Sequence, residues 1–198
     1  MVKLTPELIL QAYISGIFPM ADSRDASDIN WYDPELRGLL PIKDLHVPKK
    51  LQRTIKKAPY KITFDKAFSD VMTACADVRP DTWINDEIIA LYSELHDMGY
   101  AHSVEAWQDK KLVGGLYGIA YGGAFFGESM FSTASDASKI SLVYLVDRLL
   151  HQGFELLDTQ FINEHLKQFG AYEIPREKYH KLLSDAIKKD VSFYSNSN

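Results

Sequence analysis

Glu128 stands in the segment Gly127-Glu128-Ser129-Met130-Phe131-Ser132, with Phe125 and Phe126 just before it. A carboxylate among so many apolar neighbours is costly unless it is paired or used for chemistry, which makes it a candidate for holding charge or moving a proton. An outward-pointing side chain in an alternating strand is the other reading of the same position. Asp158 closes the apolar run Phe154-Glu155-Leu156-Leu157, and residues at the C-terminal end of such a strand commonly face a site. Gln160 lies two residues on and projects to the same side if the chain stays extended. A third constellation is basic. Lys49, Lys50, Arg53, Lys56 and Lys57 fall at offsets that gather them on one face of a helix, and residues 45–64 contain no acid. A single-sign patch is a footprint for a phosphate backbone, with a solvated charged face as the plain alternative. The formal net charge is −5, so the patch suits a local contact with an RNA stem and not wholesale wrapping.

Other chemistries find little support. There is no Gly-x-x-x-x-Gly-Lys loop, and the glycine pairs at 114–115 and 122–123 do not lead from a strand into a helix. Gly114, Gly115 and Gly118 read as bulges or close backbone approaches. The six histidines lack paired spacing with cysteines or carboxylates, so no metal is expected, and no cofactor either. No Ser–His–Asp pattern can be argued from spacing. Cys75 is the single cysteine, which rules out an intrachain disulfide and suits a reducing compartment. It reads as a small buried apolar residue. No stretch approaches the roughly 18 apolar residues of a membrane span. The N-terminus lacks the long apolar region of a signal peptide, so the cytoplasm is expected.

The elements that must position these residues follow from pattern. Thr5-Pro6-Glu7 starts a helix that Gly16 stops. Residues 17–20 form a turn or short extended piece, 21–30 read as loop, and an irregular stretch runs from Trp31 to near Pro41. A helix over 48–57 carries the basic face, followed by a strand at 60–64 and helices at 65–76 and 85–98. Strands follow at 102–107, 112–120 and 124–131, the last two joined by the hairpin signal Gly122-Gly123. Then come a helix at 138–150, a strand at 154–158, helices at 163–169 and 176–187, and a polar tail at 192–198. This is an α+β layout with a mixed sheet. With 198 residues the chain can hold one sizeable core, with an internal boundary in the irregular stretch near 32–45.

The same residues carry a family resemblance. Ala12-Tyr13 with Gly16-Ile17-Phe18-Pro19, Trp31 to Pro34, Val113-Gly114-Gly115-Leu116-Tyr117-Gly118, Gly127 to Ser132, Ala137-Ser138-Lys139, Asp158-Thr159-Gln160 with Asn163, and Gly170-Ala171 before Glu173-Ile174-Pro175-Arg176 occur in collinear order. Together they resemble the leucyl/phenylalanyl-tRNA–protein transferases over nearly the whole chain. The resemblance implies a small N-terminal subdomain (1–40) on an acetyltransferase-like, GNAT-type domain (41–198), akin to the peptidoglycan-bridge peptidyltransferases. It implies transfer of Leu or Phe, less often Met, from aminoacyl-tRNA to proteins beginning with Arg or Lys, which marks them for degradation. No membrane partner is implied, and a monomer is expected. By matching position, Glu128, Asp158 and Gln160 fall on the polar site. Leu116, Phe125, Met130, Leu142, Leu145, Leu149 and Leu157 would line the aminoacyl pocket, with Tyr13 and Asn163 also at the substrate.

Trp83 falls where an aromatic meets the terminal adenosine, and Lys49, Arg53, Lys56 and Lys57 where a basic helix meets the acceptor stem. Met20 stands where the family usually has Trp, so weaker stacking on adenine is expected there. Gln160 is expected near the reacting carbonyl or amine. Asp158 is expected to orient Gln160 or take a proton, and Glu128 to hold a cationic group. An acyl-CoA-dependent N-acetyltransferase and a non-catalytic tRNA-binding adaptor are the rival readings. The first calls for a glycine-rich strand-to-helix turn, which the sequence lacks.

Overall fold

The computed structural model describes residues 4–21, 23–24, 29–78 and 82–194. Helix α1 (Pro6–Ile14) opens as its sequence demands: the Thr5 hydroxyl accepts from Leu8 N–H, and Pro6 occupies the first turn. Strands β1 (Phe18–Ala21) and β2 (Ile29–Tyr32) pair antiparallel as a separate two-stranded sheet. The main sheet has seven strands. In chain order they are β3 (Leu36–Leu40), β4 (Lys61–Phe64), β5 (Ala101–Gln108), β6 (Lys111–Tyr121), β7 (Ala124–Ser132), β8 (Leu156–Gln160) and β9 (Tyr172–Pro175). Their spatial order is β4-β5-β6-β7-β8-β3-β9. Only the β7–β8 pair is parallel, and its crossover is the 16-residue helix α5 (Ala137–Gln152). The fold is therefore a mixed α+β arrangement, a large mixed sheet flanked by helices.

The remaining helices are α2 (Lys49–Lys56), α3 (Phe68–Asp77), α4 (Asp86–Asp97), α6 (Glu164–Lys167) and α7 (Arg176–Ala186). Period-two alternation distributes side chains between two apolar clusters, one on each face of the sheet. Tyr117, Ile119, Phe126 and Leu156 join α1, α3, α4 and α7. Leu116, Ala120, Phe125 and Leu157 join α2 and α5.

The hairpins follow turn chemistry. Gly122 takes φ +53° in the two-residue β6–β7 turn, while Asp109 and Lys110 both take positive φ at the β5–β6 turn.

Two departures from the sequence reading concern strands. The stretch read as irregular contains β3, β2 spans the end of the segment read as loop and the start of that stretch, and β9 was not anticipated at all. All three are four or five residues long, too short for periodicity to show. Their stability comes from pairing, since β3 is hydrogen-bonded on both sides, to β8 and to β9. Among the described residues no helix is long and apolar enough to cross a membrane.

Candidate active site

Strands β7 and β8 pair only as far as Phe126 and Asp158 and then part. Their parting opens a cleft of about 430 Å³. A β-bulge aims Glu128 into it. Tyr117 pairs with Ser129 and Gly118 with Gly127, so Glu128 is the extra residue. The Tyr13 hydroxyl donates to Glu128 Oε1 at 2.6 Å, and Gln160 Nε2 donates to the same oxygen at 3.0 Å. Tyr92 lies 2.8 Å behind Tyr13, hydroxyl to hydroxyl. Since Tyr13 gives its proton to Glu128, Tyr92 donates to Tyr13, and the chain of dipoles points at the carboxyl group. Burial pushes the Glu128 carboxyl up to about 8, and nearby Asp158 adds to the rise. The bonds from Tyr13 and Gln160, together with Arg37, pull in the other direction without cancelling it. Among the described residues both bonds fall on Oε1.

Gln160 is held in an uncommon conformation. Its φ is +62°, and Phe161 N–H closes a three-residue turn across it to Thr159 O at 2.7 Å. Asp158 Oδ1 accepts from the Gln160 backbone N–H at 2.7 Å and so fixes this turn. Gly38 of β3 lets it pack: a Cβ there would come within 2.9 Å of Thr159 Oγ1 and of the Phe161 backbone.

Asp158 itself is fully enclosed. Arg37 donates Nε to Oδ1 at 2.9 Å and Nη2 to Oδ2 at 2.7 Å, and the Tyr179 hydroxyl adds 2.7 Å to Oδ2. The Arg37 guanidinium also donates to Gly16 O at 3.0 Å and lies between the rings of Phe18 and Tyr179, 4.6 and 4.4 Å from their centroids. Burial alone would lower the Arg37 guanidinium, but Asp158 outweighs it and the net shift is upward. Burial raises the Tyr13, Tyr92, Tyr117 and Tyr179 hydroxyls well above the usual phenol range, so all four are neutral.

The structure brings part of the anticipated set together at the cleft; Tyr13, Asp158 and Gln160 are not among the residues that line it but join Glu128 through hydrogen bonds, Asp158 by way of Gln160. Leu116, Met130, Leu142, Leu145 and Leu157 line the cleft as an apolar wall, with Asn163 and Glu128 at other points of it. Phe125 and Leu149 do not line it. Both are fully buried one layer behind, in the same apolar cluster, because their side chains pack into the α5 face of the core. Trp83 packs edge-on against Tyr92 at 6.4 Å, and Met20 sits half-buried in β1; neither is among the cleft-lining residues. On α2 the residues Lys49, Lys50, Arg53, Lys56 and Lys57 are all exposed while Leu51 is buried beneath them.

Arg37, Tyr92 and Tyr179 were missed by sequence reasoning. An arginine flanked by Leu36 and Leu39 is a signal for Arg37 once the segment is read as a strand. Three polar atoms in cleft-lining residues, Tyr117 Oη, Thr159 Oγ1 and His165 Nε2, are buried without a hydrogen-bond partner. The Ser129 hydroxyl stands near enough to Tyr117 to ease its rise slightly but does not complete a bond.

An apolar cleft with a few convergent polar groups at the parting of two parallel strands is the architecture of a small-ligand site. Comparison with known proteins makes the class specific. Residues 39–184 match the family model for leucyl/phenylalanyl-tRNA protein transferase, and residues 3–35 match its N-terminal domain. The transferase of that name from Paramagnetospirillum magneticum is 56% identical over 200 residues, covering 100% of this chain and 96% of that one. Those from Phenylobacterium zucineum and Hyphomonas neptunium are 53% and 52% identical, over 94% and 98% of this chain and 86% and 77% of theirs. A solved structure, L-PGS from Bacillus licheniformis, superimposes with a TM-score of 0.42 at 12% identity, covering 81% of this chain and 55% of that one, a likeness too weak to bear on fold or function. The chain belongs to the leucyl/phenylalanyl-tRNA–protein transferase family.

Proposed function

We propose that this protein transfers leucine or phenylalanine, and less often methionine, from aminoacyl-tRNA to the N-terminal amine of proteins that begin with arginine or lysine. The product carries an N-terminus that marks it for degradation, and the cytoplasm is where the reaction belongs. Family membership supports the reaction class. The observation that carries the site assignment is the cleft itself, with Leu116, Met130, Leu142, Leu145 and Leu157 beside Glu128. An apolar pocket rewards a Leu or Phe side chain, but a methylene more or less is worth only about 1–3 kcal/mol, so leakage to Met follows. We read the parallel β7–β8 pair, crossed over by α5, as an acetyltransferase-type arrangement.

The chemistry is aminolysis of an activated ester. The acceptor nitrogen attacks the carbonyl carbon, a C–N bond forms, and the C–O bond to the tRNA ribose breaks. One amine proton must leave and the ribose oxygen must gain one. Glu128 suits the proton step better than Asp158. Its carboxyl titrates at about 8, close to the roughly 7.7–8.0 of an N-terminal amine, so a proton moves between them at little cost. Asp158 has its oxygens occupied by Arg37, Tyr179 and the Gln160 backbone, which suits it to positioning. Gln160 spends its Nε2 on Glu128, so its carbonyl oxygen is the end left to accept from the attacking amine. The exposed basic face of α2 serves as the contact for the acceptor stem.

The test supplies labelled leucyl-, phenylalanyl- and valyl-tRNA with peptides beginning Arg, Lys or Ala. Transfer of Leu and Phe to the Arg and Lys peptides supports the reading, and no transfer from any donor sinks it.

A further inference from the structure

The apolar cluster that supplies the cleft-lining leucines extends into the C-terminal segment, beyond residues 39–184 of the family match. Phe193 is 2% exposed and belongs to the apolar cluster that also holds Leu116, Leu142, Leu145 and Leu157. Its ring stacks on His102 at 4.1 Å and on Phe125 at 5.9 Å, and meets Phe64 edge-on at 6.0 Å. The segment is pinned on both sides of that ring. Arg148 Nη1 donates to Phe193 O at 3.2 Å, with its guanidinium 5.3 Å from the Phe193 centroid. The Tyr194 hydroxyl donates to Asp65 Oδ2 at 2.7 Å, and Asp65 is itself bound to His102 at 2.7 Å.

Phe125 is the intermediary. Its ring also packs directly on Gly118 of β6, where a Cβ would lie 2.5 Å from it. The Phe125 ring therefore touches both the β6 backbone and Phe193, within the same apolar cluster as the cleft-lining leucines. Close-packed interiors transmit such constraints, because neighbours cannot give without opening a void. We propose that Phe193 is a positioning residue for donor selectivity: by holding Phe125 forward it sets the depth of the apolar cleft and so the size of side chain the donor carries. This rests on the reading of the cleft as the aminoacyl pocket.

The experiment measures kcat/KM for phenylalanyl-tRNA and for leucyl-tRNA with one Arg-initiated peptide, in wild type, Phe193→Ala and Phe193→Leu. The readout is the Phe-to-Leu ratio within each variant. That ratio is independent of how much of the preparation is folded, so lost stability alone does not move it. Phe193→Ala lets Phe125 retreat, and the ratio is expected to rise about threefold or more, with Phe193→Leu in between. Phe193→Leu keeps most of the volume and provides the answer if the alanine variant does not fold. A ratio equal to wild type in a variant that still transfers overturns the proposal. Absence of transfer in wild type overturns the functional reading beneath it, a different and recognisable failure.

Discussion

Glu128 is placed so that its titration is felt by folding as well as by chemistry. Its carboxyl rises from 4.5 to about 8 on folding. Between those values the native state holds a proton that the unfolded state has lost. A raised carboxyl is thus fully compatible with stability below about 4.5, and stability falls as pH climbs through the window to about 8. Thermal melts at pH 5, 6, 7 and 8 are expected to show this decline, and Glu128→Gln to flatten it. An equal slope in the variant would assign the decline elsewhere. Tyr117 offers a second test. Its buried hydroxyl has no partner, which costs about 1–3 kcal/mol, so Tyr117→Phe is expected to raise the melting temperature. Asp158→Asn is expected to act oppositely. It breaks a buried ion pair, and loss of one partner costs about 3–5 kcal/mol, so denaturant midpoints should fall along with activity. Gln160→Ala is expected to lower the rate with the fold intact. The contrast separates positioning from contact with the reacting atoms. Glu128 and Asp158 stand out in the sequence because one breaks and the other ends an apolar run, while Gln160 stands out only by its spacing from Asp158, on an extended geometry that its φ of +62° departs from. Their partners do not, because Arg37, Tyr92 and Tyr179 come from distant parts of the chain.

At the scale of elements, α2 is a short helix with one buried leucine and four exposed cations, and Lys57 at its C-cap is a fifth. If the face meets an RNA backbone, log K falls with log salt, and each lost phosphate contact reduces the slope by roughly 0.7–0.9. Lys49→Ala, Arg53→Ala and Lys56→Ala are each expected to shallow that slope with the donor-side-chain preference unchanged. An unchanged slope in all three would return α2 to the status of a solvated face. The helix was legible because five like charges at helical spacing form a pattern. The bulge that aims Glu128 was not. It arises from a register slip opposite Tyr117 and Gly118, and pairing partners are not written in local sequence. Strand β3 was hidden for a similar reason: five residues between Pro34 and Pro41 show little periodicity, yet they carry Arg37 to Asp158.

In the whole molecule the N-terminal hairpin is tied to the main sheet at two depths. Arg37 joins Gly16 and Phe18 to Asp158 in the core, while Asp33 bridges His180 at 3.1 Å and Arg176 at 3.5 Å nearer the surface. The mixed sheet and its flanking helices followed from the hydrophobic pattern. The cleft, by contrast, exists only because β7 and β8 part, a property of the assembled sheet. In the proposed function this cleft takes an apolar aminoacyl group and delivers it to a basic N-terminus. The most direct measurement is the mass of an Arg-initiated peptide and an Ala-initiated peptide after incubation with a mixture of leucyl-, phenylalanyl- and valyl-tRNA. The Arg peptide is expected to gain one leucine or phenylalanine and the Ala peptide nothing, with Gln160→Ala slowing the gain. Unmodified Arg peptide, or equal gain by both peptides, would contradict it.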